Sequence, residues 1–91
     1  MGYRLIPTAT FERSLARLDR PIARRVTAKL TELEETTHGI FQLSFTPKGL
    51  QGLCKFKVGE WRVFLWLNDT RKEITLYAVW HRKEAYKNLV N

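Results

Sequence analysis

Cys54-Lys55-Phe56-Lys57-Val58-Gly59-Glu60-Trp61-Arg62-Val63-Phe64-Leu65-Trp66 is the stretch on which the fold turns. Two runs rich in β-branched and aromatic residues flank a Gly-X dipeptide, the pattern of a β-hairpin with a two-residue turn. With Gly59 and Glu60 at the centre of that turn, Val58 stands opposite Trp61, Lys57 opposite Arg62, Phe56 opposite Val63, Lys55 opposite Phe64 and Cys54 opposite Leu65. Side chains alternate across a strand with period two. One face therefore carries Cys54, Phe56, Val58, Trp61, Val63 and Leu65, a core face. The other carries Lys55, Lys57, Arg62, Phe64 and Trp66: three cations and two large aromatics on a surface expected to be open.

Upstream, Tyr3–Pro7 reads as a short opening strand. Thr8 or Thr10 can cap a helix in which Phe11, Leu15 and Leu18 recur on one side. Asp19-Arg20-Pro21 breaks that helix and starts another, with an apolar stripe of Ile22, Val26, Leu30 and Leu33 and with Gly39 as its stop. Two helices with so short a break read as a helical hairpin. Residues 40–50 hold Pro47 and Gly49 and little periodicity, so a loop is expected there. Downstream, Leu53–Val58, Trp61–Leu67 and Glu73–Trp80 are strand-like, and Arg82–Val90 has the composition of a short helix. The expected fold is α+β, in the order β-α-α-β-β-β-α. A helical hairpin covers one face of a mainly antiparallel four-stranded sheet.

A chain of 91 residues bounds this to a single domain, 1–91, with a core of modest size. No apolar run approaches the roughly 18–20 residues that span a bilayer. The N-terminal Met1-Gly2-Tyr3-Arg4 lacks the apolar stretch of an export signal, and the lone Cys54 has no partner for an internal disulfide. A cytoplasmic location and no membrane partner are the expectations. The net charge of +7 points to a polyanionic partner, either nucleic acid or an acidic protein. Residues 1–50 carry eight Lys and Arg against five acids and residues 51–91 eight against four, so the excess is no detachable tail.

Three neighbouring cations repel, so stability alone does not favour Lys55, Lys57 and Arg62 on one face. Cations meet phosphates, and aromatic rings stack on unpaired bases, so the same residues suit a single-stranded nucleic acid. Phe64 and Trp66 are then RNA-binding candidates; alternatively, the C-terminal helix simply covers them. His81 adjoins this surface, as a candidate RNA contact and acid or as a strand-end residue. His38 reads as a helix-end residue and Cys54 as an inert core thiol. Two histidines and one cysteine without close spacing make no metal site, and no cofactor is expected.

The run Lys55 to Phe64 resembles the hairpin of the RelE/ParE superfamily of toxins, K-x-K/R-x-G-x-Y/W-R-V-x-F/Y. Trp80-His81-Arg82-Lys83-Glu84-Ala85-Tyr86 resembles the H-R-x-x-A/V-Y ending of its RelE branch. Leu15-Ala16-Arg17-Leu18, the second helix and Gly49-Leu50-Gln51-Gly52-Leu53 fall where that family has its helices and pre-hairpin loop, so the likeness spans nearly the whole chain. It implies a type II toxin that cleaves mRNA at the ribosomal A site without a metal and is neutralised by a RelB-like antitoxin. A further expectation is a toxin-fold remnant that only binds nucleic acid, or operator DNA jointly with an antitoxin. By position the likeness also implies a catalytic set of Lys55, Lys57, Arg62, Arg82 and Tyr86. Some members have a further arginine two places before the one at Arg82, where this chain has Trp80. RNA cleavage needs a base for the 2′-OH, cations for the phosphorane and a proton for the leaving oxygen. Lys55 or Tyr86 fits the first role, Lys57 and Arg62 the second, and Arg82 a second clamp or the acid. The competing expectation is a ParE-like toxin that binds and inhibits DNA gyrase and cleaves nothing.

Overall fold

The hairpin forms in the register its turn dictates. A computed structural model describes residues 2–45 and 47–90. Met1, Thr46 and Asn91, which the 1–91 domain includes, lie outside the described residues, as does the Thr46 part of the expected loop. The elements are β1 (Arg4–Pro7), α1 (Ala9–Ala16), α2 (Arg20–Glu32), β2 (Ile40–Gln42), β3 (Cys54–Val58), β4 (Trp61–Asn68), β5 (Glu73–His81) and α3 (Arg82–Val90). Strands β3 and β4 pair from Val58↔Trp61 to Cys54↔Leu65. Gly59 has φ of +59° and Glu60 a negative φ, the pattern of a II′ turn, whose twist matches that of the flanking strands.

The sheet has five strands, not four, in the order β1-β5-β4-β3-β2. The added strand is β2, inside the expected loop, where Ile40, Phe41 and Gln42 pair with Phe56, Lys55 and Cys54. Three residues are too few to show a period, which is why the pairing is silent in the sequence. Strand β1 lies parallel beside β5, and the other pairings are antiparallel. Helix α2 also stops earlier than expected, at Glu32 rather than at Gly39. Glu34, Glu35, Thr36 and Thr37 follow, and acids at a helix C-terminus oppose its dipole. Gly39, with φ of +97°, instead turns the chain into β2, and a Cβ there would lie 3.2 Å from the Phe56 ring.

Two helices cover one sheet face, as the apolar stripes require. Phe11 of α1, Val26 and Leu30 of α2, and Leu33 join Phe56, Val58, Val63, Leu65, Ile74 and Val79 in the main core. Thr8 caps α1 by accepting from the Phe11 amide at 3.1 Å, and donates to the Leu76 carbonyl at 2.8 Å. The buried Ser14 hydroxyl donates to the Phe11 carbonyl at 2.8 Å and accepts from the Val79 amide at 3.0 Å, so α1 is pinned to β5. The opposite sheet face, expected to be open, is covered in part, which bears out for Phe64 the alternative that the C-terminal helix covers it. There α3 sets Ala85 and Leu89 against Leu53 and Phe64 in a second, smaller cluster. A bulge in β5 between the partners of Phe64 and Leu65 leaves Tyr77 as an extra residue, and its ring joins that cluster.

Candidate nucleic-acid interface

The second sheet face holds the charged constellation because the β3–β4 register puts it there. Lys55 is opposite Phe64 and Lys57 is opposite Arg62. Phe64 is 0% exposed, so α3 rests directly on it. Helix α3 follows β5 without a break and brings Tyr86 over the same face, its ring edge-on to Phe64 at 6.4 Å. Lys55 Nζ donates to Tyr86 Oη at 3.3 Å. This contact joins two residues 31 positions apart in the chain. The lysine uses one lone pair of the phenol oxygen, so the O–H is directed elsewhere. Tyr86 is 41% exposed, and a substrate can reach it.

Lys57 is exposed, with its side chain in solvent. Arg62 is half-buried: its Nη1 donates to the carbonyls of Gly59 at 2.9 Å and Trp61 at 3.0 Å, so it also braces the turn. Arg82 is one helical turn before Tyr86 and shares its side of α3. Its Nε meets the Glu60 carboxylate at 2.7 Å, and its amide donates to the Glu60 carbonyl at 2.8 Å. The five expected catalytic residues thus fall at one end of one face, around the hairpin turn and the start of α3. Trp80 is opposite Arg62 on this face, and its ring packs 5.8 Å from Phe64.

The three expected RNA contacts fare differently. Phe64 is sealed in the second cluster and cannot receive a base. Trp66 is half-buried in that cluster, and its Nε1 donates to the Gln51 carbonyl at 2.9 Å, so it anchors the pre-hairpin loop. His81 is opposite Trp61, on the face of α1 and α2, away from Lys55 and Lys57. Its Nδ1 accepts from the Lys83 amide at 3.2 Å and caps α3. It lines a groove of about 350 Å³ with Arg17 and Glu84. The alternation rule placed Phe64 and Trp66 on the correct face but does not say which element covers it, and the expectation that His81 adjoins the cationic surface is corrected by its place on the other face. Among the described residues, no three His, Cys, Asp or Glu side chains cluster as metal ligands would.

Two residues near the centre were missed. Phe41 of β2 is opposite Lys55 and therefore shares its face, at 58% exposure. Phe45, at 40%, has its ring 5.9 Å from that of Tyr86. Both lie in the segment read as a loop, where Ile40, Leu43 and Leu50 are apolar as well, so nothing in its pattern singled the two rings out.

Burial pushes the Cys54 thiol above its ordinary range. Among the described residues, no helix is long and apolar enough to cross a membrane.

No curated protein sequence matches the chain. The crystal structure of the RelBE2 toxin–antitoxin complex from Mycobacterium tuberculosis contains a chain with TM-score 0.76 and 23% identity, over 90% of this chain and 100% of that one. A free double-arginine mutant of the Escherichia coli toxin RelE matches with TM-score 0.69 and 18% identity, over 99% and 96%. The archaeal RelE–RelB complex from Pyrococcus horikoshii gives TM-score 0.68 and 21% identity, over 90% and 97%. These similarities show the fold. Membership follows from the profile of the ParE toxin of type II toxin–antitoxin systems, which matches residues 5–86. The chain belongs to the ParE toxin family, within the RelE/ParE superfamily, and has the fold of RelE.

Proposed function

We propose that this toxin is an mRNA interferase, a ribosome-dependent, metal-free endoribonuclease that cuts mRNA in the A site and is held inactive by a cognate, RelB-like antitoxin. The observation that carries the reading is the Lys55–Tyr86 pair, hydrogen-bonded at 3.3 Å beside Lys57, Arg62 and Arg82 on one solvent-facing surface. A toxin that only docks on another protein has no need for a lysine and a reachable phenol in contact. In the proposed reaction, Tyr86 or Lys55 takes the 2′ proton. The 2′-oxygen attacks the adjacent phosphorus, and the 5′-oxygen leaves. Lys57 and Arg62 hold the non-bridging oxygens, where paired donors stabilise the developing charge. Arg82 provides a second clamp or the proton for the leaving oxygen, once it releases Glu60. The proposed setting is the cytoplasm, with operator DNA bound jointly by toxin and antitoxin.

The ParE profile supports a second reading, inhibition of DNA gyrase without cleavage. Trp80, where some RelE members carry an arginine, fits that reading as well. Purified toxin is to be added to ribosomes programmed with end-labelled mRNA and, in parallel, to a gyrase supercoiling assay. Cleavage at the A-site codon, lost in Tyr86→Phe, supports the nuclease. Intact mRNA with blocked supercoiling replaces it with the gyrase reading.

A further inference from the structure

With Phe64 buried and Trp66 tied to the loop, the cationic face keeps two other open rings, Phe41 and Phe45. Neither belongs to either packed cluster. Large apolar rings left in water forgo the burial that would stabilise the fold, and their positions here are not scattered. Phe41 is beside Lys55 on the strand side of the Lys55–Tyr86 pair. Phe45 is beside the Tyr86 ring on the helix side. A cation and a hydroxyl that can engage one phosphodiester therefore each have an open ring as neighbour. The surface next to them is positive, with Lys57 on the same strand face and Arg62 opposite it. Rings alternating with cations match a strand of unpaired nucleotides, in which bases and phosphates alternate. An apolar partner helix would need no such cations, and a base-paired duplex presents no free base faces.

We infer that Phe41 and Phe45 are base-stacking residues that take the unpaired nucleobases flanking the phosphodiester held at Lys55 and Tyr86. The inference rests on the ribonuclease reading and adds to it. The substrate enters as a locally unstacked single strand, and the two rings, through stacking, set its affinity with little preference among bases. Phe41 sits on an outermost strand of only three residues, which places its ring at the rim of the sheet.

The test uses the full chain with Phe41 and Phe45 each changed to Ala, Leu or Trp. Binding of a fluorescein-labelled ten-nucleotide oligoadenylate and of an RNA duplex is followed by anisotropy. Single-turnover cleavage on programmed ribosomes is followed over a range of ribosome concentrations. Each Ala variant should weaken oligoadenylate binding and raise the half-saturating ribosome concentration by about 5- to 100-fold, the size of one lost stacking contact. Trp should restore both to within about threefold and Leu should not, since apolar area without a π face does not stack. Wild-type values in the Ala variants, or equal rescue by Leu and Trp, overturn the inference. So does a loss confined to antitoxin binding, which would make the rings a protein-docking patch. If the wild type cleaves no mRNA yet binds the oligoadenylate through these rings, the nuclease reading falls and the stacking surface stands. If it neither cleaves nor binds, both fall.

Discussion

At the scale of single residues, burial separates the side chains proposed for chemistry from those that hold the fold. Tyr86→Phe removes one oxygen, at an exposed site, and leaves the ring against Phe45 and Phe64. The melting midpoint should hold, with a change below about 0.5 kcal/mol. Cleavage on programmed ribosomes should fall by roughly 10²–10³, the usual loss for a single well-placed group. Phe56→Ala, one residue from Lys55 but in the main core, should reverse the pattern. It should cost about 3–5 kcal/mol in urea unfolding, because the emptied ring site only partly collapses. Should Tyr86→Phe unfold the protein while Phe56→Ala does not, the assignment of the two faces fails. Cys54, on the Phe56 face, offers a probe that leaves the sequence intact. Desolvation raises its pKa, so at pH 8 less of it is thiolate than in the unfolded chain. Native protein should therefore react with a thiol reagent more slowly than protein in denaturant. Equal rates would show that the core face opens to solvent.

At the scale of elements, the hairpin turn links the charged residues to one another. Glu60 occupies Arg82 through its side chain and its carbonyl, while Arg62 grips the carbonyls of Gly59 and Trp61. The Glu60–Arg82 pair is exposed, so Glu60→Gln should shift stability by less than about 1 kcal/mol. It should also tighten RNA binding severalfold by freeing Arg82 for phosphate; weaker binding in an anisotropy titration would refute this. Arg62→Ala differs from Lys57→Ala in kind, since it also removes two hydrogen bonds from the turn. It should lower stability by about 0.5–1.5 kcal/mol, whereas Lys57→Ala, which strips an exposed chain, should not. The elements also show what was legible. The β3–β4 register followed from Gly59-Glu60 alone, because a two-residue turn fixes every pair beyond it. The bounds of α3, Arg82–Val90, followed from composition and from the strand before it. Strand β2 did not follow, because its three residues owe their strand state to β3 and to Gly39 rather than to their own pattern. The covering of Phe64 by α3 was open in the sequence as one of two alternatives, since alternation assigns faces and does not decide which element covers them.

At the scale of the whole molecule, a +7 charge spread over both halves favours attraction to polyanions in general, but it does not by itself choose among them. The choice follows from the local arrangement, and salt dependence reads it out. Each cation that meets a phosphate releases condensed counterions, and for a single strand the slope of log K against log salt is about −0.7 per contact. If Lys55, Lys57, Arg62 and Arg82 each meet one phosphate, the slope should be near −3. Raising salt from 50 to 200 mM should then weaken oligoribonucleotide binding by roughly fiftyfold. Lys57→Ala should lower the slope by about 0.7, because its side chain is exposed and open to a phosphate. A surface lysine on the far side, such as Lys72 beside the Tyr3 ring, should leave it unchanged. A slope that falls equally for both variants would mean that RNA feels only the summed charge. A slope near zero for the wild type would mean that phosphates do not meet this face at all.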